Sequence, residues 1–211
     1  MGGRRLSSGR LENLLENLKR EIKLRPSTKL NWEAQNASNS GEYTHGAGMV
    51  GTNGSCEVFV HEVGREIVTT VEIDLTGLKK KSDVGDAIGV DGTDGSYLFQ
   101  YKKATHGIFY RIEIITLELP TAASNVLLDF DIISQSASDV AYDDDISGGT
   151  ALFTMGGNVA VNAIQTDEAI TTQPTESHYL CLADGATSTA TDVFTGGKLI
   201  IKFYGRHDIN T

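Results

Sequence analysis

The sequence predicts an all-β protein, a jelly-roll-like antiparallel β-sandwich preceded by an N-terminal amphipathic helical arm. From Cys56 onward, apolar and polar residues alternate through many short segments, as they do in strands with one buried face. The 23 glycines and 3 prolines suit a chain with frequent turns between strands. Apolar residues recur at helical spacing only before Pro26, which indicates that the helix precedes the sandwich.

The arm is predicted to be helical over residues 10–24 and to end before Pro26. Ser7 or Ser8 can cap its N-terminus. Its apolar side chains share one stripe, which consists of Leu11, Leu14, Leu15, Leu18 and Ile22. A helix of this length is marginal in water by itself. The stripe must therefore be buried, either against the chain's own body or against a partner.

Three regions are predicted along the chain. Residues 1–32 form the helical arm. Residues 33–55 are rich in Gly, Ser and Asn, and are interpreted as an extended, partly mobile tether. Residues 56–211 form the β-sandwich body, because the period of the apolar residues changes to two at its start.

The strands of the body are predicted from this period. The segments are 56–61, 67–75, 97–101, 108–119, 126–132, 179–182 and 199–204, with weaker candidates at 88–90 and 151–154. Within 108–119 the apolar phase slips by one residue after Ile114, which predicts a bulge or a change of sheet. Within 126–132, Asp129 and Asp131 are predicted to point outward. No helix is expected after Leu24.

The charge is unevenly distributed. Residues 1–29 hold eight Lys and Arg against three Glu, whereas the remainder holds ten against 25 Asp and Glu. Arg4, Arg5 and Arg10 form a small basic cluster in the first part. The net charge of −10 argues against a general nucleic-acid binder, whose main domain would usually be basic. The pattern predicts a basic arm on an acidic body.

The sequence also indicates the cellular compartment in which the protein is expected. No apolar run approaches the roughly 18 residues of a membrane-spanning helix, so no membrane association is expected. The N-terminus lacks a continuous apolar segment and a small-residue cleavage site, so no signal peptide is predicted. Cys56 and Cys181, the only cysteines, fall in apolar runs and are interpreted as reduced core residues.

The residues that could take part in catalysis or bind a ligand do not form a recognisable site, so the sequence predicts no enzyme, no cofactor and no metal site. Residues 46–51 match the dinucleotide pattern G-x-G-x-x-G, but turn and strand patterns follow where that motif requires a helix. The histidines lack partners at metal-ligand spacing, and His61 and His178 are interpreted as structural residues of strands. Asp143–Asp145 lacks the ligand pattern of an EF-hand and is interpreted as a solvated charge run, with a loop calcium site left open.

Five segments of the body resemble a known group of proteins. They are VEIDLTGL (71–78), VGDAIGVDG (84–92), GIFYRIEIITLELP (107–120), YLCLADGA (179–186) and TGGKLIIKFYG (195–205). Together they span most of residues 67–205 and are similar to small virion structural proteins of tailed bacteriophages, some of which are capsid decoration or cement proteins. All five are strand and turn patterns rather than catalytic motifs.

The resemblance implies a non-enzymatic protein of the virion that lies on the capsid surface after assembly in the host bacterial cytoplasm. The implied partners are the major capsid protein and further copies of this chain, as a homotrimer. The residues expected to contact the partner are Arg4, Arg5, Arg10, Leu11, Leu14, Leu15, Leu18 and Ile22. The basic cluster can meet an acidic capsid surface or packaged DNA, or remain solvated.

Two other functions stay open at this point. A tail, collar or head-fibre component would carry the same sequence features, and its copy number on the particle would distinguish it. A β-sandwich carbohydrate-binding module would need aromatic side chains on an exposed face, for which Tyr97, Tyr101 and Tyr110 are the candidates. These tyrosines share the phase of apolar core residues, which favours burial.

Overall fold

The computed structural model describes the body of the chain. The described residues are 41–81, 83–123, 129–155, 160, 163–167, 170–185 and 191–207. The predicted arm lies outside them, and with it all eight residues expected to contact a partner, Arg4, Arg5, Arg10, Leu11, Leu14, Leu15, Leu18 and Ile22.

The described residues form strands joined by turns and two short helical segments. The strands are β1 (Gly41–Tyr43), β2 (Ser55–Val63), β3 (Glu66–Asp74), β4 (Lys79–Lys80), β5 (Phe99–Gln100), β6 (Ile108–Ala122), β7 (Phe130–Gln135), β8 (Thr150–Thr154), β9 (Ile164–Asp167), β10 (Tyr179–Asp184) and β11 (Asp192–Arg206). A 3₁₀ turn spans Ala47–Met49, and a one-turn helix, α1, spans Lys103–His106.

The strands make two antiparallel sheets. The larger sheet has the order β1-β2-β3-β11-β6-β9, with β4 paired to the start of β11. The smaller sheet has the order β5-β10-β7-β8. The prediction of an all-β, antiparallel sandwich is therefore confirmed.

The pairing of the strands is nested. In the larger sheet β3 pairs with β11 and β6 pairs with β9, whereas in the smaller sheet β5 pairs with β10 and β7 pairs with β8. In chain order, the first four of these strands, β3, β5, β6 and β7, thus pair with the last four in reverse order, β11, β10, β9 and β8. Within each sheet the two strand pairs lie side by side, because β11 also pairs with β6 in the larger sheet and β10 also pairs with β7 in the smaller sheet.

The main core lies between the sheets. Ile67, Val71 and Ile73 of β3 are buried in alternation with more exposed residues, as predicted. Phe203 of β11 packs edge-on against Phe99 of β5, with ring centroids 5.1 Å apart. Each fully buried side chain of this size stabilises the fold by roughly 1.5–3 kcal/mol before entropy is counted.

The register of β6 against β11 shifts at four places, none of them at the expected slip after Ile114. Ile112 and Ile114 point inward, and so does Thr116. The register against β11 then shifts, because Thr116 pairs with Leu199 and Glu118 pairs with Lys198, which leaves Leu117 as the extra residue. A second shift leaves Tyr110 unpaired between Phe109 and Arg111. Bulges bend the strand and redirect side chains, so Leu117 points outward.

Asp131 points to the outward side of the smaller sheet, as predicted, but neither Asp131 nor Asp129 is exposed to solvent. Their exposed fractions are 9% for Asp129 and 8% for Asp131. The outer side of the smaller sheet is covered by the loops 83–97 and 136–149, which bury a second apolar cluster against it. The Met155 N–H donates to Asp131 Oδ1 at 3.1 Å. Burial raises the pKa of both carboxyl groups.

The predicted tether is also corrected over residues 41–55. This segment contains β1 and the 3₁₀ turn, and Met49 is fully buried in the main core. The Gly46 N–H donates to the Tyr97 carbonyl at 2.9 Å, and the Gly48 N–H donates to the Gly95 carbonyl at 3.1 Å. Because its glycines allow the backbones to approach closely, the segment packs as part of the body.

Two smaller expectations differ from the structure. A helix does occur after Leu24, since α1 forms one turn ahead of β6. The weak candidate strand at 88–90 is reduced to an isolated bridge between Lys79 and Gly89. The weak candidate at 151–154 is a strand, β8.

Candidate binding face

The outward side of the larger sheet carries an exposed apolar row. Residues that pair across neighbouring strands lie side by side on the same face. The register aligns Ile200 of β11 with Ile115 of β6, and Ile115 with Ile164 of β9. Ile115 and Ile200 are half-buried, and Ile164 is 57% exposed. We call these three isoleucines the apolar row.

Two further apolar side chains are exposed on this side of the sheet, although Phe59 is separated from Ile200 by β3, which carries Thr70 and Glu72 on its outward side. Leu117, redirected by the bulge in β6, is 51% exposed, and Phe59 of β2 is 39% exposed. Phe59 points away from the core because Val58 and Val60 on either side of it point inward. Exposed apolar patches often mark protein–protein contacts. We call the apolar row with Leu117 and Phe59 the outer face.

A ladder of arginine and tyrosine side chains borders the outer face. The Arg111 guanidinium lies 3.7 Å from the centroid of the Tyr204 ring, and the Arg206 guanidinium lies 4.4 Å from that of Tyr110. The Tyr204 hydroxyl donates to Glu113 Oε2 at 2.7 Å. Burial, and secondarily Glu113, raises the pKa of Tyr204. Arginine and tyrosine are both enriched in protein interfaces.

A shallow groove runs beside the apolar row. Its volume is about 160 Å³, and its lining includes Leu117, Ile200, Lys198 and Asp74. Lys198 Nζ lies 3.5 Å from an oxygen of Asp74. Burial alone would raise the pKa of Asp74, but hydrogen bonds from Thr76 and the charge of Lys198 lower it. Small-molecule pockets usually measure roughly 300–1,000 Å³, so this groove fits the side chain of a partner better than a substrate.

His106 is a structural residue that sequence reasoning missed. Its ring is 1% exposed, with Nδ1 2.9 Å from Thr69 Oγ1 and Nε2 3.2 Å from the Gln100 carbonyl oxygen. Nε2–H donating to the carbonyl leaves Nδ1 to accept the Thr69 hydroxyl. Burial lowers the pKa of His106 to about 4, so the ring is neutral at pH 7. The sequence carries no periodic signal for it, because it ends the four-residue helix α1.

The glycine-rich segment 46–51 is explained by packing. It is followed by a turn and β2, as its pattern predicted, and its 3₁₀ turn is three residues long. A Cβ on Gly48 would come within 2.6 Å of Ser96 Oγ, and one on Gly51 within 2.3 Å of the Thr76 carbonyl oxygen. These glycines serve close backbone approach.

The three aspartates of the 143–145 loop have partners within the protein. Asp143 forms an ion pair with Lys81, Asp144 Oδ2 accepts the Ala141 N–H at 2.7 Å, and Asp145 Oδ1 accepts the Ser147 N–H at 2.9 Å. Within the described part of the chain, no group of three or more His, Cys, Asp or Glu side chains is arranged to hold a metal ion.

Both cysteines are free and buried. Burial raises the pKa of each thiol to about 12. A thiol with such a pKa is a poor nucleophile at neutral pH, because the thiolate is the reactive form. The chemistry of both residues is therefore that of small apolar side chains.

The three tyrosines considered for glycan binding do not share a surface. Tyr101 is 3% exposed, and its hydroxyl donates to the Gly107 carbonyl at 2.7 Å. Tyr97 packs against Tyr179 with ring centroids 4.7 Å apart. Tyr110 belongs to the ladder beside the outer face. The phase of the apolar residues predicted burial correctly for Tyr101.

Comparison with protein-family models, with curated proteins and with solved structures finds no match. Among the helices of the described residues, none has the length and apolar character needed to cross a bilayer.

Proposed function

We propose that this chain is a structural protein of a tailed-phage virion, a capsid decoration or cement protein that binds and stabilises the head shell. The observation that carries the proposal is the outer face, on which the apolar row and Leu117 are exposed beside the arginine–tyrosine ladder. Such a surface suits a large protein partner. The segments that resemble phage virion proteins include the central strands β3, β6, β10 and β11, which build this sheet and its support.

We further propose that the sandwich is a jelly roll. The nested pairing supports this assignment, because β3, β5, β6 and β7 pair with β11, β10, β9 and β8, respectively. A long hairpin of four strand pairs that is rolled up gives this order, with successive pairs in alternate sheets. Jelly rolls are frequent in viral capsid proteins, although a fold alone does not determine a function.

In this proposal the capsid contact has two parts. The outer face packs on the major capsid protein, and the arm over residues 1–32 docks through its basic cluster and leucine stripe. Self-association as a homotrimer would multiply these contacts, because linked sites bind with a high effective concentration. The strongly acidic body supplies charge for solubility before assembly.

A reconstruction of the virion that carries this chain tests the proposal. We expect the chain at many equivalent positions over the head shell, with the outer face turned toward the capsid protein. Copies confined to a single ring at the portal, collar or tail would replace decoration by the alternative of a tail, collar or head-fibre component. Absence of the chain from purified particles would overturn the proposal.

A binding experiment separates decoration from glycan recognition. Purified protein is mixed with particles that lack it and, in parallel, with a glycan array. We expect saturable binding to the particles and no glycan preference. Glycan binding without particle binding would favour a carbohydrate-binding module and contradict the proposal.

A further inference from the structure

Two buried aspartates lie next to each other where β7 begins. Asp129 directly precedes β7 and Asp131 is its second residue, so the two side chains lie on the same side of the strand. Asp131 pairs with Ala183 of the second apolar cluster, which places both on the outward side of the smaller sheet. Their exposed fractions are only 9% and 8%. Aspartate is seldom buried to this degree unless it is paired.

The protein supplies little to balance these two carboxylates. The Met155 N–H donates to Asp131 Oδ1 at 3.1 Å, whereas the buried Oδ1 of Asp129 accepts no hydrogen bond. None of the ion pairs among the described residues includes either aspartate. Burial raises the pKa of Asp131, and the charge of Asp129 adds to this effect. The two groups therefore repel each other when both are ionised.

The side-chain oxygens of the two aspartates converge on Gly185. The Gly185 N–H donates to the Asp129 carbonyl at 3.0 Å, which extends the pairing of β10 with β7 by one residue. A Cβ at position 185 would come within 2.7 Å of Asp129 Oδ1 and 2.9 Å of Asp131 Oδ1. Glycine, which has no Cβ, leaves this space to the two carboxylates. We call the space between Asp129, Asp131 and Gly185 the aspartate cradle.

We propose that the aspartate cradle binds a calcium ion through the carboxylates of Asp129 and Asp131. Oxygen ligands select hard cations such as calcium and magnesium over transition metals. Calcium accepts irregular geometry and completes its coordination with backbone carbonyl and water oxygens, whereas magnesium requires a nearly ideal octahedron. Two carboxylates balance the charge of the ion, and their small exposed fractions leave contact with solvent.

The ion would fasten one end of the smaller sheet. Both aspartates lie at the start of β7, Met155 directly follows β8, and Gly185 directly follows β10. Three of the four strands of this sheet thus meet at the aspartate cradle. A bound cation would replace repulsion between two like charges by attraction to both, so stability would rise with the calcium concentration. The inference rests on these residues and is independent of the proposed function.

Calcium titration of the wild-type protein tests the proposal. The protein is treated with EDTA, dialysed into metal-free buffer at about pH 7 and titrated with CaCl2 in a calorimeter. It is then melted with and without about 10 mM CaCl2, roughly tenfold above the Kd of a weak calcium site. We expect one ion per chain and a rise in Tm of at least about 3 °C, with a smaller rise in MgCl2. Absence of binding together with an unchanged Tm would overturn the proposal.

Matched variants locate the ion. Asp129→Asn retains the shape of the side chain but removes its charge, so it should abolish the calcium-dependent rise in Tm without lowering the Tm measured in EDTA. Asp139→Asn, at an exposed position of the loop 136–149, should respond to calcium like the wild type. Gly185→Ala places a methyl group in the aspartate cradle and should also abolish the response. A full response in Asp129→Asn or in Gly185→Ala would place the ion elsewhere and overturn the assignment.

Discussion

The outward sides of the two sheets differ although both belong to one sandwich. On the smaller sheet, Ile133 is 5% exposed and Cys181 is 0% exposed, because Val140 and Ile146 of the covering loop pack against them. On the larger sheet, Ile164 is 57% exposed. One outward side is thus a second core, whereas the other carries an apolar row, among charged side chains, that is partly exposed in the described part of the chain.

The difference shows how a sheet acquires a binding surface. The loops 83–97 and 136–149 connect strands of the sandwich and fold back over the smaller sheet, with the Ser96 N–H donating to the Val140 carbonyl at 2.7 Å. Their backbone hydrogen bonds and small side chains complete that side. On the larger sheet the apolar row is partly exposed, and beside it Arg111 stacks on the Tyr204 ring.

The largest effect that we predict concerns β11, whose side chains alternate between the main core and the outward side of the larger sheet. Removing residues 198–211 should unfold the body, because Leu199, Ile201 and Phe203 are buried and β11 lies between β3 and β6. Burial of three such side chains contributes roughly 5–9 kcal/mol, comparable to the net stability of a domain. Circular dichroism and thermal unfolding measure the loss.

The control for this deletion ends the chain at His207, which retains all of β11 and the hydrogen bond between His207 and Glu62. We expect native-like spectra for this control. A soluble 1–197 fragment with native spectra and an unchanged Tm would contradict the role of β11.

A matched pair of isoleucines tests the comparison of the two sheets. Ile133→Ala should destabilise the protein by about 2–5 kcal/mol, because it leaves a cavity under the covering loops. Ile164→Ala, with the same change of side chain at an exposed position, should change the stability by less than about 0.5 kcal/mol. Urea unfolding of both variants measures the difference. Equal losses would mean that the outer face is covered as completely as the smaller sheet.

The pH dependence of stability tests the environment between the sheets. His106 has a pKa of about 4 in the folded protein and an ordinary value of about 6.5 when unfolded. The unfolded chain therefore binds a proton first as the pH falls. This group should reduce stability progressively from about pH 6.5 to about pH 4, by on the order of 3 kcal/mol in total.

The variant His106→Asn isolates this contribution, since its amide can still pair with Thr69. Urea unfolding of both proteins at several pH values gives the difference between them. We expect the wild type to lose its advantage over the variant as the pH falls. If the free energies of unfolding of the two proteins changed in parallel with pH, His106 would have an ordinary pKa and water would reach its ring.

The sequence predicted those parts of the fold that depend on local periodicity. The alternation is regular in β3 and, from Lys198 onward, in β11, and there each strand has the inward face that its apolar residues indicated. Long strands with one buried face repeat their pattern often enough to be recognised.

The predictions that failed concern features that depend on contacts between segments distant in sequence. Asp129 and Asp131 alternate correctly with the core residues, but covering loops bury the side that alternation assigned to solvent. Ile164 lies in a four-residue strand that is too short to show a period. The complete burial of Lys80 depends on a two-residue strand, β4, which is too short to leave a local signature.

The smallest expected effect on stability is the one that bears most directly on function. Ile164→Asp should leave the Tm of the free protein nearly unchanged, because the side chain is 57% exposed and surface substitutions usually cost less than about 0.5 kcal/mol. The same carboxylate would be buried without a partner if the apolar row packs on a capsid subunit, and this costs several kcal/mol. We therefore expect binding to particles that lack the protein to fall by at least about a hundredfold.

Val84→Asp is the matched control, since Val84 is 49% exposed but lies in the loop over the smaller sheet, and it should bind like the wild type. Equal binding by both variants would move the contact away from the outer face, whereas a large fall in the Tm of Ile164→Asp would show that this side of the larger sheet is already covered within the free protein.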